Sequence, residues 1–462
     1  MPNIFLLCVL IVLKDTCQLS MLNSIGFNFK IHLKKMRMKT YSDAILVVTV
    51  LNRLSSMRNF TDFRKNKIKF LFISTFNIKY IITVSTMIIL YYYLGAQSLK
   101  QYEPKIERFF YLVSLILYVC GFLTTMALGL YNSKNVLMLW KQMNKVDEEL
   151  RKLAVKIEYR SFFFRTSITA FFWNFNFMLI TGYAIKLFSM HENESIQMEL
   201  YALTANITSY ALYEFKTSLE WLGLRFKQMN ELLEDLLLEN RRTKMEPNKN
   251  ILVESKHNFR KRSQLDEWLS ERYFRASRTF PANNAPYLKQ QSTNKVYLLH
   301  RLRILHLQLC GVLKMMNKTY DAQLSSYIFM ILVNQTISLY YIYMEIHRPS
   351  QFVAHIEYIV VFLMDIICNL LKVVFTSYSC EYTIKQAKEA TGIIHTASSY
   401  QTATDLTRRD EMLQFCLQIS YTQQQRSREN SLWLNYKFIR RYVSVMVSYL
   451  VVLIQFSQAR SI

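Results

Sequence analysis

Glycine and proline are scarce in this sequence. Only 8 Gly and 6 Pro interrupt 462 residues, and no Gly-rich phosphate loop or GxSxG elbow is present. The eight histidines include no HExxH pair, so the chain does not read as an enzyme. Seven cysteines, at positions 8, 17, 120, 310, 368, 380 and 416, show no CxxC spacing and fall mostly in apolar or basic stretches. That argues against a disulfide framework and against a structural zinc site. No cofactor or metal is implied.

What the chain does have is apolar bulk together with positive charge: 51% hydrophobic residues, 14% aromatic, and a formal charge of +24. Two classes fit such a balance. One is a basic nucleic-acid binder, the other a membrane protein whose basic residues crowd one side. The apolar residues decide, because they gather into long runs. A bilayer core takes about 20 apolar residues per helix, and seven stretches qualify: Tyr80–Gly95, Phe109–Tyr131, Phe163–Phe188, Leu200–Leu222, Leu324–Glu345, Phe352–Ser379 and Leu434–Phe456. Ile4–Leu13 and Ala44–Leu51 are too short to span. The first of these also lacks the basic flank and small-residue cleavage site of a signal peptide.

Basic residues orient the spans. The segments before span one and after spans two, four and six hold 13, 7, 19 and 6 Lys and Arg, whereas the alternate segments hold 3, 0, 1 and 1. By the positive-inside rule the N-terminus is expected in the cytoplasm and the C-terminus outside. The expected fold is therefore an all-α membrane protein of seven transmembrane helices in that orientation. Asn193-Glu194-Ser195, a glycosylation sequon, falls in the predicted external loop Ser189–Met198. Tyr91–Tyr93 and Tyr340, Tyr341 and Tyr343 close spans one and five at the outer interface, where amphipathic rings are favoured.

The connections on the basic side are large. Helical patterning runs on below span four through Arg225–Leu233 and resumes at Val296 ahead of span five. Between them, Glu239–Asn294 is polar, basic and broken by Pro247, Pro281 and Pro286, and reads as a disordered insertion. Its Arg260-Lys261-Arg262 run has no reader module around it, so it suits an anionic leaflet better than nucleic acid. Tyr382–Thr391 and Asp405–Ser420 read as two further cytoplasmic helices. The organisation is thus a cytoplasmic segment 1–79, spans one to four over 80–222, cytoplasmic helical extensions over 223–323, spans five and six over 324–379, cytoplasmic helices over 380–433, and span seven with a short outer tail over 434–462. The projecting helices are expected to pack into one cytoplasmic anchor domain, where subunits associate.

Span seven carries the most specific signal. It closes with Ser448-Tyr449, five apolar residues and Gln455-Phe456. Ser448, Val452 and Gln455 stand at i, i+4 and i+7 on one face. A carboxamide in an apolar helix is costly unless something satisfies it. The spelling resembles the Thr-Tyr, five apolar, Gln-Phe signature that ends insect gustatory receptors, with serine in place of threonine. Arg225-Phe226 with Asn230, Asn317 with Tyr320, Glu389-Ala390 and Gly392-Ile393-Ile394-His395 add to the resemblance in sequence order. Gln423–Asn430 departs from it, standing where the family has a small Ala- and Gly-containing stretch, and the 79-residue N-terminal segment is longer than the family's.

The resemblance implies a ligand-gated cation channel of four subunits in the plasma membrane, related in fold to insect odorant receptors. It also implies a seventh helix that lines a central pore for permeant cations and a small-molecule tastant bound within each subunit's bundle. In that scheme Gln455, Phe456 and Val452 form the gate and Ser448 lines the conduit. Tyr111, Tyr118, Tyr183, Tyr201, Tyr210, Tyr340, His355, Glu357 and Tyr358, in the outer halves of spans two to six, are the candidate ligand contacts. Asp365, Asn369 and Lys372 share one face of span six and are expected to neutralise one another as an Asp–Lys pair. Glu214 and Glu220 are expected to bond neighbouring helices. The competing readings are a metabotropic seven-helix receptor, a divergent family member that needs a co-receptor, and a transporter. The first lacks the Asn-Pro-x-x-Tyr that should end its last span, and the last lacks internal repeats.

Overall fold

The computed structural model describes residues 40–54, 105–188, 192–244, 285–346, 352–398, 406–428 and 434–459, with positions 82, 85 and 89 between them. These form helices α1 (Tyr41–Ala44), α2 (Leu46–Leu54), α3 (Lys105–Lys152), α4 (Tyr159–Phe188), α5 (Glu192–Lys244), α6 (Ala285–Ile346), α7 (Phe352–Ser398), α8 (Leu406–Arg428) and α9 (Tyr436–Ala459). No strand occurs among the described residues. Predicted spans two to six lie within α3, α4, α5, α6 and α7 respectively, and span seven lies in α9 apart from Leu434 and Asn435, which precede it. Span one lies almost wholly outside the described residues. Among the described residues, three helices, over Lys295–Met344, Ile359–Ser398 and Tyr436–Phe456, are long and apolar enough to cross a membrane by length and composition alone.

Length dictates the architecture. At 1.5 Å per residue, α3, α5, α6 and α7 extend roughly 70, 80, 90 and 70 Å, against a bilayer core of about 30 Å. Each overshoots the core by more than its thickness. The extensions gather at one end of the bundle, the base, together with α1, α2 and α8. Four sequence expectations change accordingly. The predicted loop Ser189–Met198 shrinks because α5 starts at Glu192. Tyr382–Thr391 is no separate helix but the continuation of span six in α7. Asp405–Ser420 is α8, which runs on through Gln423 to Arg428. The predicted insertion Glu239–Asn294 is helical at both margins, since α5 reaches Lys244 and α6 starts at Ala285. Pro286 fits the first turn of α6, where its missing N–H has no intrahelical acceptor to lose.

The central column is α5. From Thr204 to Gly223 it is almost continuously buried, packed by α3, α4, α6 and α7. Gly223 allows the closest approach: a Cβ there would meet the Tyr382 ring at 2.8 Å and Thr383 Oγ1 at 3.1 Å. Thr383 uses that proximity to donate to the Leu219 carbonyl at 3.0 Å. The outer faces are reversed relative to a soluble bundle. Phe171, Phe172 and Met178 on α4, and Leu371, Phe375 and Tyr378 on α7, are exposed, as expected where the surrounding solvent is lipid.

The α3–α4 turn is a Schellman cap. Val155 N–H donates to Leu150 O and Ala154 N–H to Arg151 O, both at 3.0 Å, and Ala154 takes the left-handed conformation at φ 62°. Alanine pays a Cβ clash there that glycine avoids. Ala154→Gly is expected to stabilise the protein by roughly 1 kcal/mol, read as a higher Tm in detergent. An unchanged or lower Tm would show that the cap is not strained.

Candidate functional site

Three residues within two turns of α5 tie the base together. Arg225 Nε donates to Asp147 Oδ1 of α3 at 2.6 Å, and both side chains are almost fully buried. Its Nη1 reaches Gln228 at 3.0 Å, and its guanidinium lies 5.3 Å from the centre of the Trp221 ring and 5.9 Å from that of Tyr159. Tyr159, at the start of α4, donates its hydroxyl to Asp147 Oδ2 and accepts from Arg151 at 2.9 Å. Burial first, and the Asp147 charge second, push the Tyr159 phenol well above its ordinary pKa, so it stays a donor. Tyr41 of α1 closes the cluster, stacking edge-on to Trp221 at 5.4 Å and bonding Ser218 at 3.3 Å. Within the predicted segment 1–79, α1 therefore contributes to the core, its start fixed by a capping box between Thr40 and Asp43.

The next residue, Phe226, meets the His306 ring of α6 at 5.6 Å. His306 is buried, with Phe415 of α8 at 5.5 Å and the Ala387 carbonyl of α7 at 3.3 Å from Nε2. Asn230 then donates to Gln386 O of α7 at 2.7 Å. The Arg225, Phe226 and Asn230 positions singled out in the sequence thus each grip a different helix. Further out, Arg301 bonds Glu149 and Arg303 bonds Glu411, both at 2.6 Å. The Glu149 carboxyl is held below its usual range chiefly by its bond from Lys152, with Arg301 adding to it. Glu389, Gly392 and Ile393 line an open cleft of about 850 Å³ with Glu234, Lys385 and Lys388. On α8, Leu406, Leu413, Leu417 and Tyr421 form an exposed apolar stripe.

In the spans, α4 and α5 share a polar cluster. Tyr210 donates to Asn174 Oδ1 at 2.7 Å, Asn206 donates to the same oxygen at 2.8 Å, and Trp173 Nε1 donates to Ser209 at 3.0 Å. Among the candidate ligand contacts, Tyr210 and Tyr340 are buried and Tyr183 is half-buried. Tyr340, at 1% exposure, is a core residue and no interface anchor. The side chains of Tyr111, Tyr118, Tyr201, His355, Glu357, Tyr358 and Asn193 lie outside the described residues. Asp365 accepts from Asn369 at 3.0 Å, while Lys372 holds its ammonium 5.8 Å over the Trp173 ring. The Asp365 charge still favours the Lys372 ammonium, and the aromatic face adds a second partner that spacing did not predict. Glu220 pairs with Lys216 of its own helix at 2.9 Å and not with a neighbouring one, and Glu214 is buried.

The α9 helix is attached differently from the rest. It packs on α6 and α7, with Tyr442 and Met446 as its buried positions. Only 11% of its most apolar stretch is buried, against 56% in α6 and 33% in α7. At 3.6 residues per turn, Ser448, Val452 and Gln455 stand roughly 80–180° round the helix from that buried stripe. All three are exposed, as is Phe456, and Ser448 returns its hydroxyl to the Ser444 carbonyl at 2.9 Å. Sequence reasoning passed over Tyr442, which donates to Gln335 of α6. The polar pair Asn334-Gln335 in mid-span was the available signal.

The sequence profile described as 7tm chemosensory receptor matches residues 45–460. The chain belongs to this insect chemosensory receptor family. Its fold is similar to that of the insect olfactory receptor OR5 from Machilis hrabei, solved in complex with eugenol, at a TM-score of 0.53 and 11% identity. That likeness covers 92% of this chain and 99% of the other, and it establishes the seven-span receptor fold. No curated protein matches the sequence.

Removing Asp147 leaves a buried guanidinium unpaired. Asp147→Ala is expected to cost roughly 3–5 kcal/mol, lowering the Tm and the surface amount of this receptor far more than Tyr159→Phe. Equal, small effects from both substitutions would mean that the ion pair is not what closes the base.

Proposed function

We propose that this receptor is a gustatory chemoreceptor that acts as a tastant-gated, non-selective cation channel in the plasma membrane of sensory neurons. It assembles as a homo- or heterotetramer with other gustatory receptors, its N-terminus in the cytoplasm and its C-terminus outside. The observation that carries this reading is the state of α9. A terminal helix gripped along one stripe, with a serine and a carboxamide in line on the face turned away from its own bundle, suits a shared aqueous axis better than lipid alone. Four copies of Gln455 can bond one another when the path is shut and bond water when it opens. Phe456 and Val452 then narrow the same constriction, and Ser448 lines the path further in.

The base supports association. An apolar stripe on α8 and a groove lined by both acids and bases sit where the helices leave the apolar layer. Exposed apolar surface in water favours a partner, and mixed charge selects its register. The gustatory assignment rests on the terminal Ser448–Phe456 signature. A small-molecule ligand is supported by the eugenol complex of the olfactory receptor that shares the fold.

Current recorded from cells expressing this chain while tastants are screened tests the reading. A cation current that persists with G-protein signalling blocked is expected, and one abolished by the block would establish the metabotropic alternative. Tags should be accessible from outside at the C-terminus alone; an external N-terminal tag overturns the orientation. Gln455→Ala is expected to raise ligand-independent current at equal surface expression. Wild-type gating and conductance in that variant would refute the gate.

A further inference from the structure

Gln335, in mid-span on α6, is 1% exposed and uses both ends of its carboxamide. Nε2 donates to the Ile366 carbonyl of α7 at 3.1 Å. Oε1 accepts from the Tyr442 hydroxyl of α9 at 2.5 Å. Three helices therefore meet on one side chain. Its surroundings link it to the interior of the bundle: Ile366 follows the buried Asp365, and Tyr340 lies five residues along α6 from Gln335, itself buried.

Apolar contact alone does not fix where α9 sits. Lipid tails are as apolar as the Met446 stripe, so exchanging one for the other costs little. A directional bond is different, because it specifies the rotation and height of α9 against α6. Breaking it in a water-free layer strands a hydroxyl and an amide oxygen with nothing to replace the lost partner. For the bond to survive a displacement of α6 or α7, α9 has to follow.

We propose that Gln335 is a positioning residue that couples the α6–α7 junction to the pore helix. A rearrangement of α6 or α7 inside the bundle reaches α9 through this amide and the Tyr442 hydroxyl. The inference rests on the channel reading above and adds to it the route by which the bundle acts on the pore.

The test is a double-mutant cycle on the full chain with Tyr442→Phe, Gln335→Leu and both together. Its readouts are spontaneous sodium current per surface channel and thermal unfolding of the purified protein. Each single variant is expected to raise spontaneous current about three- to tenfold, the range for loss of one interhelical bond in a membrane. The double variant should rise no further than either single. Additive effects, or lowered Tm and surface amount with current per channel unchanged, would overturn the coupling role and leave the channel reading standing. If the wild type carries no current with tastants applied, alone or co-expressed with other gustatory receptors, while the unfolding cycle is non-additive, the bond exists in the fold, the channel reading fails, and the gating role falls with it.

Discussion

The buried pair Asp147–Arg225 is the contact on which the base of this receptor depends. Two charges held almost wholly out of water are tolerable only if each is neutralised and its remaining hydrogen-bonding capacity is used. Here Tyr159 caps the second carboxylate oxygen, Gln228 takes a guanidinium nitrogen, and the Trp221 and Tyr159 rings cover the cation's faces. The arrangement forces α3, α4 and α5 to meet at one point, and Tyr41 brings α1 to the same place. Lateral packing between apolar helices in lipid is permissive about register. Ionic and amide contacts such as Arg225–Asp147, Asn230–Gln386 and Gln323–Thr125 are not.

From that fixed base the helices rise with graded attachment. The α5 helix is enclosed on nearly all sides and serves as the column. On α4 and α7 the outer faces carry bulky apolar side chains that need lipid. The least enclosed helix is α9, the one whose chemistry is hardest to reconcile with lipid on every side. The enclosed column and the sparsely gripped terminal helix stand at the two extremes of that gradient. The exposed apolar stripe on α8 adds a second unmet demand.

Much of the fold was legible in the sequence because a membrane span needs only length and apolar composition. Six of the seven predicted spans fall in described helices for that reason. Helix ends were less legible, since leaving the bilayer does not stop a helix. Glu192, Lys244, Ala285 and Tyr382 all sit in helix where the loss of apolar character suggested a loop or a new element. Gln455 was singled out from one residue's chemistry in its place, and it lies exposed on α9. Asp147 and Gln335 could not be singled out that way, because their partners lie 78 and 107 residues away in the chain and a single sequence carries no record of such pairings. The face that Lys372 offers to Asp365 was legible from spacing along α7, whereas its aromatic partner Trp173 on another helix was not.

Unbroken helix from Phe352 to Ser398 makes α7 a lever. With no proline and no loop along its 47 residues, there is no joint at which a displacement can be absorbed. A tilt of about 2° about the middle of such a rod carries each end through roughly 1 Å at the rise of an α-helix. The Phe352 end and the Ser398 end, near the mixed-charge groove, therefore move together and in opposite directions.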